Sequence, residues 1–173
     1  MALINRFIRP KRLNMILREL KKDWKIIDIG CGDGWLTKTL RDMGFNCIGI
    51  DPYLEKWKKK ECSYIKKIDI FDSCFNDKEF DCSILIEVIE HLTEDRIRET
   101  ERITKKKIIV STHIPNIDWF FDTLGKLHVF TPPGSPIVSS YKVNKIPFKN
   151  FKLANSRKYY FMDQFAIFTR VSD

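Results

Sequence analysis

A short run of glycines and acidic residues in the first third of the chain has the composition of a ligand-binding loop. Gly30, Gly32 and Gly34 alternate directly after an apolar run, with Asp28 ahead of them and Asp33 among them. Glycine lets the backbone turn sharply and approach a ligand closely, and the helix that follows offers free N–H groups. These residues predict a small-molecule site at this turn.

A further carboxylate follows about one crossover later. Asp51 ends the apolar run 47–50 and precedes Pro52. An acid closing the second strand can bind two adjacent ribose hydroxyls, which predicts a nucleoside-bearing cofactor; the alternative is a carboxylate that only caps a turn. The spacing G-x-G-x-G differs from the dinucleotide fingerprint, and Asp28 and Asp33 would repel a diphosphate. Two acids suit the ammonium and sulfonium of S-adenosylmethionine better than NAD.

These motifs resemble those of class I S-adenosylmethionine-dependent methyltransferases. Residues 28–34 are similar to the first motif, 48–51 to the second, 68–71 to the end of the third strand and 80–92 to the fourth, so the resemblance covers residues 24 to about 115. It implies a cofactor site in which an acid lies near the adenine amino group; Asp72 is an alternative to Asp69 for that place. The implied cofactor-binding residues are Asp28, Gly30, Cys31, Gly32, Gly34, Asp51, Pro52, Asp69, Ile70 and Glu87.

The tightest cluster of catalytic residue types is Glu87, Glu90 and His91. If the chain turns helical at Glu87, residues three and four positions later share its face. Two carboxylates and an imidazole can serve as general bases or hold Mg²⁺ or Mn²⁺, and such an ion would lower the pKa of a hydroxyl acceptor. We therefore predict Glu87, Glu90 and His91 as the catalytic residues.

The same cluster is similar to the Glu-x-x-Glu-His segment of the ubiquinone-pathway O-methyltransferases and of the small-RNA terminal 2′-O-methyltransferases. In the RNA branch a downstream histidine completes a metal site, which here implies His128, or alternatively His113, beside Glu87, Glu90 and His91. The competing interpretation is that Glu90 and His91 hydrogen-bond each other and shape an acceptor pocket without a metal.

The elements that must position these residues alternate between strand and helix. We predict a helix over 10–22, a second helix after the glycine turn, strands near 47–51, 65–69, 81–86 and 108–112, and a helix from 93 between the last two strands. Residues 151–160 and 165–171 predict an antiparallel hairpin. The predicted fold is α/β: a doubly wound, Rossmann-like, mostly parallel seven-stranded sheet with helices on both faces and a C-terminal antiparallel hairpin.

Composition limits the remaining possibilities. The 173 residues predict a single domain, 1–173. Five cysteines without C-x-x-C spacing favour reduced thiols and a cytoplasmic location, and we expect neither a signal peptide nor a membrane span. A net charge of +8 permits a nucleic-acid or acidic partner but is equally typical of a solvated surface.

Several functions follow from this pattern. We predict an S-adenosylmethionine-dependent methyltransferase acting on a hydroxyl acceptor, either a small molecule or RNA, in which an apolar segment near Trp119 forms a wall of the acceptor pocket or packs on the sheet. The alternatives are a metal-assisted RNA ribose 2′-O-methyltransferase, a catalytically idle cofactor-binding subunit, and an NAD-dependent oxidoreductase. The sequence leaves the acceptor and the oligomeric state open.

Overall fold

The computed structural model describes residues 2–57, 60–113, 141–159 and 163–171. Its elements, in chain order, are α1 Ala2–Leu17, β1 Lys25–Ile29, α2 Trp35–Asp42, β2 Asn46–Ile50, β3 Ile65–Lys66, β4 Phe80–Ile86, α3 Glu94–Ile103, β5 Thr104–His113, β6 Phe151–Tyr159 and β7 Asp163–Arg170. The seven strands form one sheet in the order β3-β2-β1-β4-β5-β7-β6.

The first five strands run parallel. Ile27 of β1 lies opposite Ile48 on one side and Ser83 on the other, so β1 is an interior strand. The order reverses on either side of β1, which is the switch point where ligands bind in sheets of this type. The glycine loop follows β1 directly, at this carboxyl edge.

Helices cover both faces of the sheet because both faces are apolar. On one face, Ile16 of α1 and Leu36 of α2 pack against Ile26 and Ile84. On the other, Ile97 and Ile103 of α3 pack in a cluster with Ile27 and Leu85. Strands buried on both sides read as continuous apolar runs. The predicted α/β sheet with helices on both faces is confirmed.

The C-terminal hairpin completes the sheet. β7 runs antiparallel to both neighbours, with Val110 opposite Ala166 on the β5 side and Ser156 opposite Ala166 on the β6 side. Glu101 of α3, almost fully buried, accepts backbone N–H bonds from Lys149 and Asn150 at 2.8 and 2.7 Å. This carboxylate ties the parallel half of the molecule to the start of the hairpin.

Some predicted boundaries are wrong. α1 is Ala2–Leu17 rather than 10–22, and Pro10 lies inside it rather than at its start. The helix ends early because the carbonyls of Ile16 and Lys21 accept turn hydrogen bonds from the N–H groups of Glu19 and Trp24 before β1. The third strand stops at Lys66 rather than at residue 69, since the carbonyls of Asp69 and Ile70 already accept turn hydrogen bonds. In the described part of the chain, none of the helices is long and apolar enough to cross a membrane.

Candidate functional site

The glycine loop turns through the left-handed backbone region that favours glycine. Gly30, Gly32 and Gly34 have φ of 69°, 54° and 72°. A Cβ on Gly30 would lie 2.5 Å from the side chain of Val88, and one on Gly34 would lie 2.4 Å from that of Ile65. At Gly30 both the backbone conformation and the space require glycine, and at Gly34 the backbone conformation does. The loop therefore stays close to the carboxyl ends of the strands, where a ligand would approach.

Asp51 lies immediately after β2 and holds the glycine loop. Its carboxylate accepts the backbone N–H of Gly32 at 3.0 Å and that of Tyr53 at 2.7 Å. Burial raises the pKa of Asp51, although these two bonds oppose the rise. The predicted glycine loop and the predicted ribose-binding acid thus form one hydrogen-bonded unit, with half-buried Pro52 beside it.

Asp28, at the end of β1, is buried beneath the loop. Its carboxylate accepts a hydrogen bond from the Thr37 hydroxyl of α2 at 2.6 Å. Burial raises the pKa of Asp28 to about 7, and the nearby carboxylates of Asp51 and Asp33 add to the rise. Placing a cation near Asp28 would favour its charged form, because an opposite charge lowers the pKa of a carboxyl.

Two other predicted cofactor residues serve as apolar packing. Cys31 is 6% exposed and Ile70 is 3% exposed. Burial also raises the pKa of the Cys31 thiol, so it stays protonated at neutral pH. The side chains of Cys31 and Ile70 are therefore parts of the core, and a role toward a ligand would fall to their backbone.

Asp69 is the predicted acid of the third motif, and it is already paired. Arg96 in the first turn of α3 contacts both carboxylate oxygens, with the shortest distance 2.6 Å, and the N–H of Phe71 donates at 3.0 Å. Partial burial raises the pKa of Asp69, but these bonds outweigh burial and leave the pKa below its ordinary value. A ligand amino group would share this carboxylate with Arg96.

Glu87 begins the predicted catalytic cluster at the end of β4. Its backbone has φ of 55°, an unusual value for a residue with a side chain. Its carboxylate accepts the Ser111 hydroxyl at 2.8 Å and forms an ion pair with Arg12 of α1. Arg12 is 9% exposed and also reaches buried Asp163 at 3.3 Å.

Glu90 and His91 lie on a short 3₁₀ turn, Ile89–His91, that follows Glu87. Glu90 is 5% exposed and accepts the Thr112 hydroxyl at 3.1 Å, whereas His91 is half-buried. The backbone of Glu87 is left-handed and the turn after it is 3₁₀ rather than α-helical. The three residues therefore do not form the regular helical face that the i, i+3, i+4 spacing predicts. Ser111 and Thr112 at the end of β5 instead bring Glu87 and Glu90 to the same sheet edge.

The predicted metal site lacks support in the described part of the chain. No group of three or more His, Cys, Asp or Glu side chains there is arranged to hold an ion. The Arg12 guanidinium already neutralises Glu87, and a cation would have to displace it. His128 and the Trp119 segment lie outside the described residues, so those predictions stay predictions.

Arg12 and Asp163 join the candidate site through Glu87, and the sequence interpretation missed them. They lie 151 positions apart, and neither belongs to a motif. Arg12 is one of several basic residues near the amino terminus, and nothing in that run distinguishes the single guanidinium that becomes buried. The pairing exists because α1 crosses the sheet edge where β4 ends and β7 begins.

The chain also matches known proteins. A family model described as a methyltransferase domain matches residues 3–133. A ubiquinone biosynthesis O-methyltransferase of Rickettsia bellii is 33% identical over 123 residues, covering 61% of this chain and 51% of that protein. The chain therefore spans about half the length of this curated relative.

Solved structures share the fold at low sequence identity. A methyltransferase from Methanosarcina mazei superposes with a TM-score of 0.67 at 16% identity, over 92% of this chain and 98% of that one. Magnesium protoporphyrin IX methyltransferase from Synechocystis, with bound SAH, gives 0.64 at 16% identity, over 94% and 81%. With the family model matching well over half of its length, the chain belongs to the class I S-adenosylmethionine-dependent methyltransferases.

Proposed function

We propose that this protein binds S-adenosylmethionine and transfers its methyl group to a hydroxyl acceptor, working as one domain over residues 1–173. The observation that carries the proposal is the joining of Asp51 to the glycine loop through the Gly32 N–H. A cofactor lying on this loop would meet N–H groups and a carboxylate that are already fixed in position, so little ordering is needed on binding.

Each charged group of the site suits one part of that cofactor. Asp51 would bind the ribose hydroxyls and Asp69, beside Arg96, the adenine edge. Buried Asp28 would attract the positive charges of the amino acid portion, and Asp33, which pairs with Arg9 at 2.7 Å, would be shared between Arg9 and the ligand. Arg12, held between Glu87 and Asp163, is a cation that can pair with the carboxylate of that portion.

When bound, the cofactor supplies a methyl group on a positively charged sulfur. The protein must hold the acceptor oxygen in line with that methyl, and such positioning supplies much of the rate acceleration. A carboxylate or imidazole must then take the hydroxyl proton as the new oxygen–carbon bond forms. Glu90, fixed by Thr112, and the half-buried His91 beside it are the candidates at this sheet edge.

Support for an oxygen acceptor comes from the matched relative, which is named a ubiquinone biosynthesis O-methyltransferase. No step of the proposal uses a metal ion, because the described residues do not form a site for one. The alternatives of a metal-assisted RNA methyltransferase and an idle cofactor-binding subunit predict different results in one assay.

The test combines calorimetry with a methyl-transfer screen. We expect S-adenosylmethionine and its demethylated product to bind the purified protein, and labelled methyl to enter a metabolite or RNA fraction equally with Mg²⁺, Mn²⁺ or EDTA. Binding without transfer to any fraction would indicate an idle subunit. Loss of transfer in EDTA would show that the reaction needs a metal ion. Absence of binding heat from both compounds, together with binding of NADH, would overturn the proposal.

A further inference from the structure

A long stretch of the chain near the carboxyl end carries positive charge without any negative charge. Residues 123–162 contain no Asp or Glu, whereas 40 residues of the chain's average composition would hold about five. Six basic residues of the described part of this stretch form what we call the basic edge: Lys142, Lys145, Lys149, Lys152, Arg157 and Lys158.

In the described part of the chain, ion pairs compensate many of the basic side chains outside the basic edge, although Lys21, Lys60, Lys66 and Lys105 have none. Ten described basic side chains between residues 9 and 107 form ion pairs with carboxylates, for example Lys25 with Glu79 at 2.6 Å and Lys107 with Glu19 at 2.8 Å. Within the described residues, none of the six side chains of the basic edge has such a partner. Uncompensated like charges repel one another, and a polyanion would relieve that repulsion.

The basic edge follows the last strand of the sheet toward the candidate site. β6 is the terminal strand, and its residues 152–158 are exposed. Arg157 lies opposite Phe165 and Lys158 opposite Gln164, so neighbouring charges project to opposite faces of the sheet. Asp163, the partner of Arg12, pairs with Tyr159 of β6 and with His113 of β5, which places the end of the basic edge roughly 5 Å from β7.

α1 and the turn after it add to the same surface. Arg18 and Glu19 line a pocket together with Asn155, Ser156, Arg157 and apolar residues that include Phe165. The Glu19 carboxylate is paired with Lys107 at 2.8 Å. Within the described residues Arg18 also has no carboxylate partner. Two guanidiniums, a hydroxyl and an amide around one depression are the donors that a phosphate group requires.

Competing roles for the basic edge leave some of its charges unexplained. Lysines on an edge strand discourage pairing with another sheet, but Lys142, Lys145 and Lys149 precede the strand. A protein interface needs buried aromatic or aliphatic anchors, and the exposed large apolar residue of β6 is Leu153 alone, at 37% exposure, among the described residues. A flat anionic membrane could not meet charges that project from both faces of a strand.

We propose that the basic edge binds the phosphate backbone of a single-stranded nucleic acid. Lys152 and Arg157 lie opposite Thr169 and Phe165 of β7. A strand rises about 3.3 Å per residue, so these four steps of β7 place Lys152 and Arg157 about 13 Å apart, far enough to contact different phosphates. This binding does not depend on methyl transfer. The further statement that the bound nucleic acid is also the methyl acceptor rests on the proposed function.

The test measures binding of a fluorescent 20-nucleotide RNA of mixed sequence, without cofactor, by anisotropy over a range of salt concentrations. Lys152→Ala, Arg157→Ala and Lys158→Ala are combined in one variant. The matched control removes three positive charges at and near β3, the terminal strand on the other side of the sheet, with Lys60→Ala, Lys66→Ala and Lys67→Ala. Thermal unfolding checks that both variants fold, and Gln replaces Ala if either does not.

We expect the wild-type protein to bind with a log–log salt slope of about −4, since each phosphate contact contributes about −0.7. The β6 variant should bind at least tenfold more weakly with a slope reduced by about 2, and the control should match the wild type. Equal losses in both variants, no RNA binding, or a matching β6 dependence for phosphatidylglycerol vesicles but not RNA would overturn the proposal. Asp51→Ala should weaken S-adenosylmethionine binding and slow methyl transfer at subsaturating cofactor while leaving RNA binding intact, which separates the two proposals.

Discussion

Asp51 holds the glycine loop before any ligand arrives. Replacing Asp51 by Ala leaves the Gly32 and Tyr53 amides without their acceptor and removes the carboxylate proposed to bind ribose. We expect the affinity for S-adenosylmethionine to fall by about 1–3 kcal/mol, the cost of unmet buried hydrogen bonds. Calorimetry measures this, with Asp23→Ala, at an exposed aspartate before β1, as the control. Unchanged affinity in Asp51→Ala would contradict the assignment.

Asp28 should make the stability of the ligand-free protein depend on pH. The pKa of its carboxyl is about 7 in the folded state and 3.8 in the unfolded state. The native state therefore binds more protons between these values, so this group's contribution to the unfolding free energy falls as pH rises from about 4 to about 7, by at most about 1.4 kcal/mol per unit.

The Asp28→Asn variant isolates that contribution. Because asparagine does not titrate, we expect the variant to gain stability relative to the wild type between pH 5 and pH 8. Urea unfolding of both proteins at both pH values measures the change. A stability difference that stays constant with pH would show that Asp28 does not titrate in this range.

At the residue scale, motif residues were predictable and their cross-chain partners were not. The glycines and Asp51 are close in sequence, and their chemistry is visible in their order. Arg12 pairs with Glu87 and Asp163 across 75 and 151 positions. Such a pairing depends on which elements cross, and a single sequence contains no local signal for it.

At the element scale, two glycines with a left-handed backbone conformation allow the cost of backbone strain to be measured separately from the cost of a steric clash. Gly44 has φ of 82° with nothing within 4 Å of the point that a Cβ would occupy, whereas Gly30 has φ of 69° and Val88 at 2.5 Å from that point. We expect Gly44→Ala to cost about 1–2 kcal/mol of unfolding free energy for the backbone alone. Gly30→Ala should cost about 1–3 kcal/mol more because of the clash.

Urea unfolding of the two alanine variants tests this difference. The clash would also affect the candidate site, because the methyl group added by Gly30→Ala would push Val88 and the 3₁₀ turn that follows it. Equal destabilisation in the two variants would mean that Val88 moves away from the added methyl group without a loss of stability.

Element types were easier to predict than element ends. The apolar run of β2 and the predicted range of β4 agree with the structure to within one residue, since both strands are buried on two sides. α1 begins earlier than the predicted residue 10, and Pro10 lies inside it. β3 is short because turn hydrogen bonds of Asp69 and Ile70 compete with further pairing.

At the scale of the whole molecule, Glu101 connects the parallel half to the hairpin. Glu101→Ala would leave the amides of Lys149 and Asn150 unsatisfied and remove the 3.0 Å ion pair with Arg98. We expect a loss of about 1 kcal/mol of unfolding free energy for each of these two hydrogen bonds, which are only partly buried. The exposed Glu94→Ala, in the same helix, should lose less than about 1 kcal/mol; similar losses in both would contradict this role.

The overall architecture followed from the alternation of strand and helix and from the hairpin pattern near the carboxyl end. The position of β7 within the sheet could not be predicted, because the alternation of strand and helix does not show which strands lie side by side. Antiparallel strands can join a sheet at its edge or enter it beside β5, and only the pairing of Val110 with Ala166 decides between them.

The interior position of β7 has a consequence for synthesis on the ribosome. Among the described strands β7 is the last to be translated, yet it lies between β5 and β6. Until it emerges, a nascent chain presents the bare edge of β5, a strand of ten residues, to its surroundings. Chaperone demand during translation should therefore persist until the final strand inserts, and Arg12 acquires its second carboxylate at the same moment.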